Sequence, residues 1–351
     1  MGGFMTEKLD FSLLKTLTNL AGVSGREDEV RNYLKETLTP YADEIKTDVL
    51  GNLIVYKKGT SDKNLLLCAH MDEVGLMVRY VDDNGFLYFV TVGGIDPRTL
   101  LAQRVRVQTK NGPILGVIGT KPAHITTEAD RAKAVPLSDL YIDTGLPAGK
   151  VHEQVEPGDP VVLDRQYEEF GDGRICAKAL DDRAGVFVLA ELVRTLKNPF
   201  YNVYAVFTVQ EEVGLRGATT AAFGIEADLA FALDSTGAAD IPGCAPHNHI
   251  VRVGGGVGVS VIDGRTITPD WLFEGLKQIC RQEKINWQVR CAPRGGNDAG
   301  VIHLTKTGIP ACALSLAARN IHSCVEVSAK SDMEALFQLV SYVAKHGIEQ
   351  K

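Results

Sequence analysis

Two histidines and several acidic residues recur at one kind of place in this 351-residue sequence, just after short apolar runs. Leu65 to Ala69 leads into His70-Met71-Asp72, and Val203 to Val209 leads into Gln210-Glu211-Glu212. Leu229 to Leu233 leads into Asp234, and Ala311 to Leu316 is followed shortly by His322. Asp181-Asp182 follows Ala177 to Ala179 and opens a stretch with helical spacing at Val186, Leu189, Ala190, Val193 and Leu196. If the runs are strands of an open α/β sheet, these groups collect beyond the carboxyl ends of the strands, where ligand crevices form. Carboxylates crowded into one cleft repel each other and lose hydration, whereas divalent cations neutralise them through N and O ligands at about 2.0 to 2.2 Å. The count suits two ions about 3.5 to 4 Å apart, one carboxylate bridging and one His plus one carboxylate on each. Such donors favour Zn, Co or Mn over soft metals. An acidified water still needs a base, and Glu211 stands beside the candidate ligand Glu212.

Each piece alone has a bland reading. A Glu-Glu pair is most often a solvated face, and Asp-Asp before a helix is most often a cap favoured by the helix dipole. The joint placement is what points to chemistry.

The elements that must position these residues are legible in the hydrophobic pattern. Ser24-Gly25-Arg26-Glu27 reads as a capping box, so a helix is expected just after Ser24, with Val30, Tyr33, Leu34 and Leu38 on one face. Strands are expected at Asn52 to Lys57 and at Asn64 to Ala69, the second almost wholly apolar and therefore central and buried on both faces. Strands at Trp287 to Cys291 and Ala311 to Leu316 follow, with helices around Trp271 to Cys280 and Ser331 to Lys345. Alternating strands and helices predict a layered α/β fold, a mostly parallel sheet with helices on both faces. Between Val78 and Cys176 the pattern changes to β-rich runs (Leu87 to Val92, Arg104 to Thr109, Ile114 to Ile118), with turns at Asn84-Gly85 and Asn111-Gly112. This predicts a small β domain at 77–166, inserted into an α/β domain formed by 1–76 and 167–351. Residues Lys121 to Leu137 read as a long surface loop.

Composition narrows the classes. Lys plus Arg is 37 against 44 Asp plus Glu, a formal charge of -7, so no basic field advertises nucleic acid or an anionic membrane. The apolar runs are strand-sized, far short of the about 20 residues of a membrane span. Met1 to Met5 lacks the basic then apolar pattern of a leader peptide, so the expectation is a soluble cytoplasmic protein. Seven scattered cysteines without a CxxC pair argue against a disulfide framework or a thiolate zinc site. The glycine run Gly254 to Gly258 lacks the Gly-Lys-Ser/Thr ending of a phosphate loop, and a tight backbone approach is expected there instead. His247 and His249 are expected on an exposed loop.

Five segments taken in order carry a resemblance: His70-Met71-Asp72-Glu73-Val74-Gly75, Ala179-Leu180-Asp181-Asp182-Arg183, Val209-Gln210-Glu211-Glu212-Val213-Gly214-Leu215-Arg216-Gly217, Ala232-Leu233-Asp234-Ser235-Thr236 and Ile321-His322-Ser323. They resemble the M42 (TET-type) metalloaminopeptidases over nearly the whole chain. The resemblance implies that His70, Asp181, Glu212, Asp234 and His322 are metal ligands with Asp181 bridging, that Glu211 is the general base, and that Asp72 orients His70. It further implies a PDZ-like inserted domain and a homo-oligomer, a dodecamer built from dimers whose chamber admits short peptides. The expected reaction is release of the N-terminal residue from such peptides, with two divalent ions per subunit, Zn or Co and also Mn by donor type. A neutral or aliphatic first residue is the expected preference. Three departures bear on specificity: Asn297 within Gly295-Gly296-Asn297-Asp298-Ala299-Gly300 where Thr is usual, Asn320 where Tyr is common, and Ser235 where Val is frequent. The rival readings are a two-metal deacylase and an endoglucanase-type glycosidase. The latter needs two carboxyl groups across about 5 to 9.5 Å and leaves both histidines without a role.

Overall fold

The apolar runs assemble into an eight-stranded sheet with the spatial order β1 (Glu44–Thr47), β2 (Leu53–Lys57), β12 (Asn202–Thr208), β3 (Asn64–His70), β13 (Leu229–Gly237), β16 (Ala311–Ala318), β14 (Val257–Ile262) and β15 (Trp287–Cys291). The computed structural model describes residues 9–128, 133–292 and 294–348. Met1 to Met5 and residues 129–132 of the long loop lie outside the described residues.

The pairs β12–β3, β3–β13, β13–β16 and β14–β15 are parallel, and the antiparallel pairs lie at β1–β2, β2–β12 and β16–β14. Strand β3 is central as expected, with parallel partners on both sides and Leu65 to His70 all buried. Alternation of its side chains explains the two layers. Leu65, Leu67 and Ala69 pack into the core beneath the Leu180–Thr195 and Lys330–His346 helices, whereas Leu66 and Cys68 face the core built with the Arg216–Gly224 and Ala299–Ile302 helices.

A closed barrel in the order β4 (Gly75–Val81), β5 (Leu87–Val92), β8 (Tyr141–Asp143), β7 (Gly112–Gly119), β6 (Arg104–Thr109) and β9 (Pro160–Leu163) has its own core of Leu76, Val78, Leu87, Phe89, Val105, Val107, Ile118 and Ile142. The β6–β7 hairpin turns at Lys110-Asn111, with Gly112 already paired to Thr109. Only the glycine of each Asn-Gly pair takes a positive φ, 87° at Gly85 and 110° at Gly112. A third, small sheet of β10 (Glu168–Phe170), β11 (Arg174–Ala177) and β17 (Glu326–Ala329) joins the barrel exit to the C-terminal region.

The first helix after Ser24 spans Asp28–Leu38 and has no side-chain cap, so the expected capping box does not form. Ser24 and Glu27 are used elsewhere. The Ser24 hydroxyl donates to Asp72 Oδ2 at 2.6 Å, and Glu27 Oε1 accepts from the N–H groups of Gly25 at 2.6 Å and Gln210 at 3.1 Å. The glycine run does pass close to backbone: a Cβ at Gly256 would meet the Asn286 carbonyl carbon at 2.2 Å. Its N–H groups at Gly254 and Gly256 donate to the Asp332 carboxylate at 2.7 and 2.8 Å. The anion in that backbone nest is therefore a side chain of the protein itself.

Candidate metal centre

Parallel strands deliver the acidic residues and His70 to one edge. His70 closes β3, Asp234 lies in β13 two strand positions beyond the apolar Ala232, and Glu211-Glu212 follow β12 across a turn entered through Gln210 at φ 55°. Asp181 and Asp182 occupy the first turn of the Leu180–Thr195 helix, with non-helical backbone angles that turn them away from the helix axis and a cis peptide between them. His322 sits at φ 59° in the loop between β16 and β17.

The carboxylate of Asp181 lies between the two imidazoles. Its Oδ1 is 3.3 Å from His70 Nε2 and its Oδ2 is 3.3 Å from His322 Nε2. Asp234 Oδ1 stands 3.8 Å from His70 Nε2, and Glu212 Oε2 stands 3.4 Å from His322 Nε2. His70, Asp181 and Glu212 offer donor atoms within 4.8 Å of one another, as do His70, Asp182 and Asp234. Asp182 nonetheless spends its oxygens on backbone, Oδ1 accepting from Gly185 N at 3.0 Å and Oδ2 from His70 N at 3.3 Å. Asp181 Oδ1 and Glu212 Oε1 are buried without a hydrogen-bond partner. Buried polar atoms are rarely left so, and a divalent cation would satisfy both. The donor set therefore fits a metal with N/O preference.

Electrostatics agree with a site that favours positive charge. Burial raises Glu212, and the Asp181 charge adds to it, up to about 7. Burial by itself would depress the His322 imidazole, but Asp181 and Glu212 beside it raise it to about 10. Burial also holds Glu211 well above the usual carboxylate range, with Asp234, Asp298 and Glu212 pushing the same way and His70 opposing.

Asp72, fully buried, ties two motifs together. Its Oδ1 accepts from Glu211 N at 3.0 Å and lies 3.5 Å from His70 Nδ1, and its Oδ2 accepts from Glu212 N at 3.2 Å. His70 Nδ1 also contacts the Asp72 carbonyl at 3.1 Å. Burial works against the Asp72 carboxylate, but His70, Ser24 and the Glu211 N–H outweigh it and keep it below the ordinary range. Glu73 and Arg183, both within the quoted segments, are anchors: Glu73 pairs with Lys178 at 2.8 Å in the interior, and Arg183 Nε donates to the Met71 carbonyl at 2.7 Å.

The sequence profile of the M42 glutamyl aminopeptidase family matches residues 51–339. The chain belongs to the M42 aminopeptidase family. As an M42 chain it is a peptide hydrolase. It is 32% identical over 339 residues to the lysyl aminopeptidase of Pyrococcus furiosus, covering 94% of this chain and 95% of that one. Its fold superposes on the TET aminopeptidase of the marine sediment archaeon Thaumarchaeota archaeon SCGC AB-539-E09 with a TM-score of 0.93, at 38% identity and 96% coverage of both chains. The TET1 peptidase of Pyrococcus horikoshii, described as assembling into a tetrahedron or a large octahedral shell, matches with a TM-score of 0.87 at 33% identity, over 96% of this chain and 99% of that one. No helix among the described residues is long and apolar enough to cross a membrane.

Three further groups around the centre were given no role by the sequence. Glu326 accepts from Asp181 N and from His322 N, each at 2.8 Å. The Gly94 carbonyl, from the loop after β5, faces His322 Nδ1. Asp298 accepts from Thr208 Oγ1 at 2.7 Å and leaves its Oδ1 buried and unpartnered. A carboxylate in the otherwise buried strand β17 was the one available signal for Glu326; a backbone carbonyl leaves none.

The three departures are all engaged. Ser235 Oγ donates to the Leu180 carbonyl at 3.2 Å, beside Asp181. Asn297 Nδ2 donates to Asp263 Oδ2 at 3.0 Å, which also faces the buried Arg290 at 3.3 Å. Asn320 takes φ 56° and donates to the Val325 carbonyl at 3.2 Å. All seven cysteines are free, and His247 is exposed.

Proposed function

We propose that the protein is a dinuclear-metal aminopeptidase that releases the N-terminal residue of short peptides. In this reading His70 and Asp234 hold one divalent ion, His322 and Glu212 hold the other, and Asp181 bridges them. The placement of Asp181 between the two imidazoles carries the reading. Two donor atoms about 2.0 to 2.2 Å from one tetrahedral ion lie roughly 3.3 to 3.6 Å apart. Three of the separations, 3.3, 3.3 and 3.4 Å, follow that edge length, the His70–Asp234 separation of 3.8 Å is slightly longer, and all four exceed good hydrogen bonds. Zn or Co, or Mn, suits the donors.

When bound, the ions polarise the scissile carbonyl and lower the pKa of water. The chain's own groups do the rest. Glu211 accepts the proton of the attacking water and passes it to the leaving amine, a role that its raised pKa favours. Asp72 orients His70 through Nδ1 and fixes the Glu211-Glu212 turn through its two N–H groups. The negative cluster near Asp234 and Glu212 attracts the substrate's free ammonium, so the enzyme acts at the chain end. A neutral or aliphatic first residue is the preferred substrate in this reading.

We also read 1–76 with 167–351 as the catalytic unit and the inserted segment 77–166 as a PDZ-like domain for oligomerisation and substrate access. The TET1 structure holding a dodecamer supports assembly of this chain as a dodecamer built from dimers, which we place in the cytoplasm. A monomer by light scattering at full metal occupancy would overturn that.

The test of the activity compares Leu-p-nitroanilide with N-acetyl-Leu-p-nitroanilide, with cobalt or zinc supplied and a chelator as control. Cleavage of the free-amine substrate alone, abolished by chelator, is expected. Cleavage of the acetylated substrate would instead establish a deacylase on the same two-ion plan.

A further inference from the structure

Glu326 lies at the start of β17 and is 1% exposed. Its two carboxylate oxygens are divided between two segments: Oε2 accepts the backbone N–H of Asp181 and Oε1 that of His322, both at 2.8 Å. Both segments carry strained backbone. Ala179, two residues before Asp181, has φ 54°, while Asn320 and His322 have φ 56° and 59°. Left-handed conformations in residues other than glycine persist only where surrounding structure over-determines them. β17 is also hydrogen-bonded to β11, with Ala177 opposite Glu326, so the carboxylate is anchored to the strand that feeds the Asp181 segment.

We propose that Glu326 is a positioning residue that sets the distance between the bridging Asp181 and His322, and so the affinity of the centre for its second ion. The proposal rests on the two-ion reading above. Among the described residues, no other single side chain bonds the backbone of both residues. Glutamine at this position keeps the shape but turns one acceptor into a donor facing an N–H, which pushes one of the two segments away.

The experiment titrates chelator-stripped protein with cobalt(II) against a competing chelator, reading the visible cobalt spectrum, alongside kcat and KM on Leu-p-nitroanilide. Glu326→Gln is expected to lower affinity for the second equivalent about 10- to 100-fold, the range for outer partners of metal ligands. Turnover should fall at limiting cobalt and recover largely in excess cobalt, with KM little changed. Val327→Ala, in the same strand, should lower the unfolding temperature without moving cobalt affinity. If Glu326→Gln does not fold, Glu326→Asp keeps both acceptors but withdraws them by one methylene, and the same loss is expected in smaller measure. Wild-type cobalt affinity in Glu326→Gln, or in Glu326→Asp when that variant is the one read, overturns the proposal, and so does an equal loss in Val327→Ala. A wild-type protein that takes up no cobalt and keeps its turnover in chelator overturns the two-ion reading and this role together, and is recognised because the wild type itself fails.

Discussion

The carbonyl of Gly94 lies 2.8 Å from Nδ1 of His322, although 228 positions separate the two residues and Gly94 belongs to a loop of the barrel. With a cation bound in place of the Nε2 proton, a proton kept on Nδ1 and aimed at that carbonyl would hold the ring in the tautomer a metal ligand needs, Nε2 facing Asp181 and Glu212. The barrel is thereby joined to the centre through one hydrogen bond. A Cβ at Gly94 would already be in van der Waals contact with the same nitrogen at 3.4 Å, so the two methyl groups of a valine leave the ring little room to keep its place. Gly94→Val is expected to weaken metal binding about 10-fold in chelator competition. Unchanged affinity would mean that the carbonyl does not orient the imidazole.

Glu211→Gln removes the proposed base while keeping its size. Metal content by elemental analysis should stay at the wild-type value, and kcat should fall by about 10²- to 10⁴-fold. Turnover near that of the wild type would sink the assignment.

Asp72→Asn places an amide where a carboxylate accepts from Glu211 N, Glu212 N and Ser24 Oγ. The amide nitrogen must face one of these donors, leaving a buried donor unpaired at a cost of about 1 to 3 kcal/mol. A lower unfolding temperature is expected, together with a loss of kcat of about 10-fold or more because the His70 and Glu211-Glu212 anchors loosen at once. Loss of stability with full kcat would assign Asp72 to the fold alone.

Asp332 gives a pH dependence of stability away from the centre. Burial raises its pKa to about 6, against the Gly254 and Gly256 N–H groups, which lower it. The folded state therefore holds this proton more tightly than the unfolded chain, whose carboxyl has the ordinary value of 3.8. Its contribution is fully present below pH 3.8 and is lost as pH rises through about 6, at about 1.4 kcal/mol per unit. Asp332→Asn cannot titrate, so the wild type should lose thermal stability relative to this variant between pH 4 and 6, measured on metal-free protein. A constant difference over that range would show that Asp332 keeps an ordinary pKa.

What the sequence by itself determined is what local period and burial encode. Strands Trp287–Cys291, Leu87–Val92 and Arg104–Thr109 fall on the residues expected, because side-chain alternation and apolar content are properties of each segment alone. The almost wholly apolar run before His70 likewise marked a central parallel strand. The order of strand ends and acidic groups pointed to one cleft, and the donors do meet there.

Tertiary structure decided the partners. Ser24 and Glu27 have the spacing of a capping box, but Ser24 bonds Asp72 and Glu27 bonds Gln210, since a buried carboxylate and a strained turn compete better for them than an exposed helix end. Glu326 became a link between Asp181 and His322, and Gly94 a partner of His322, only when the small β10–β11–β17 sheet and the barrel closed on the main sheet. These bonds run to backbone N–H and C=O groups, which every residue carries alike, so no residue type announces them. Glu326 and Asp181 are 145 positions apart and Gly94 and His322 are 228 apart, so local spacing holds no record of those two bonds; only the Glu326–His322 bond is local.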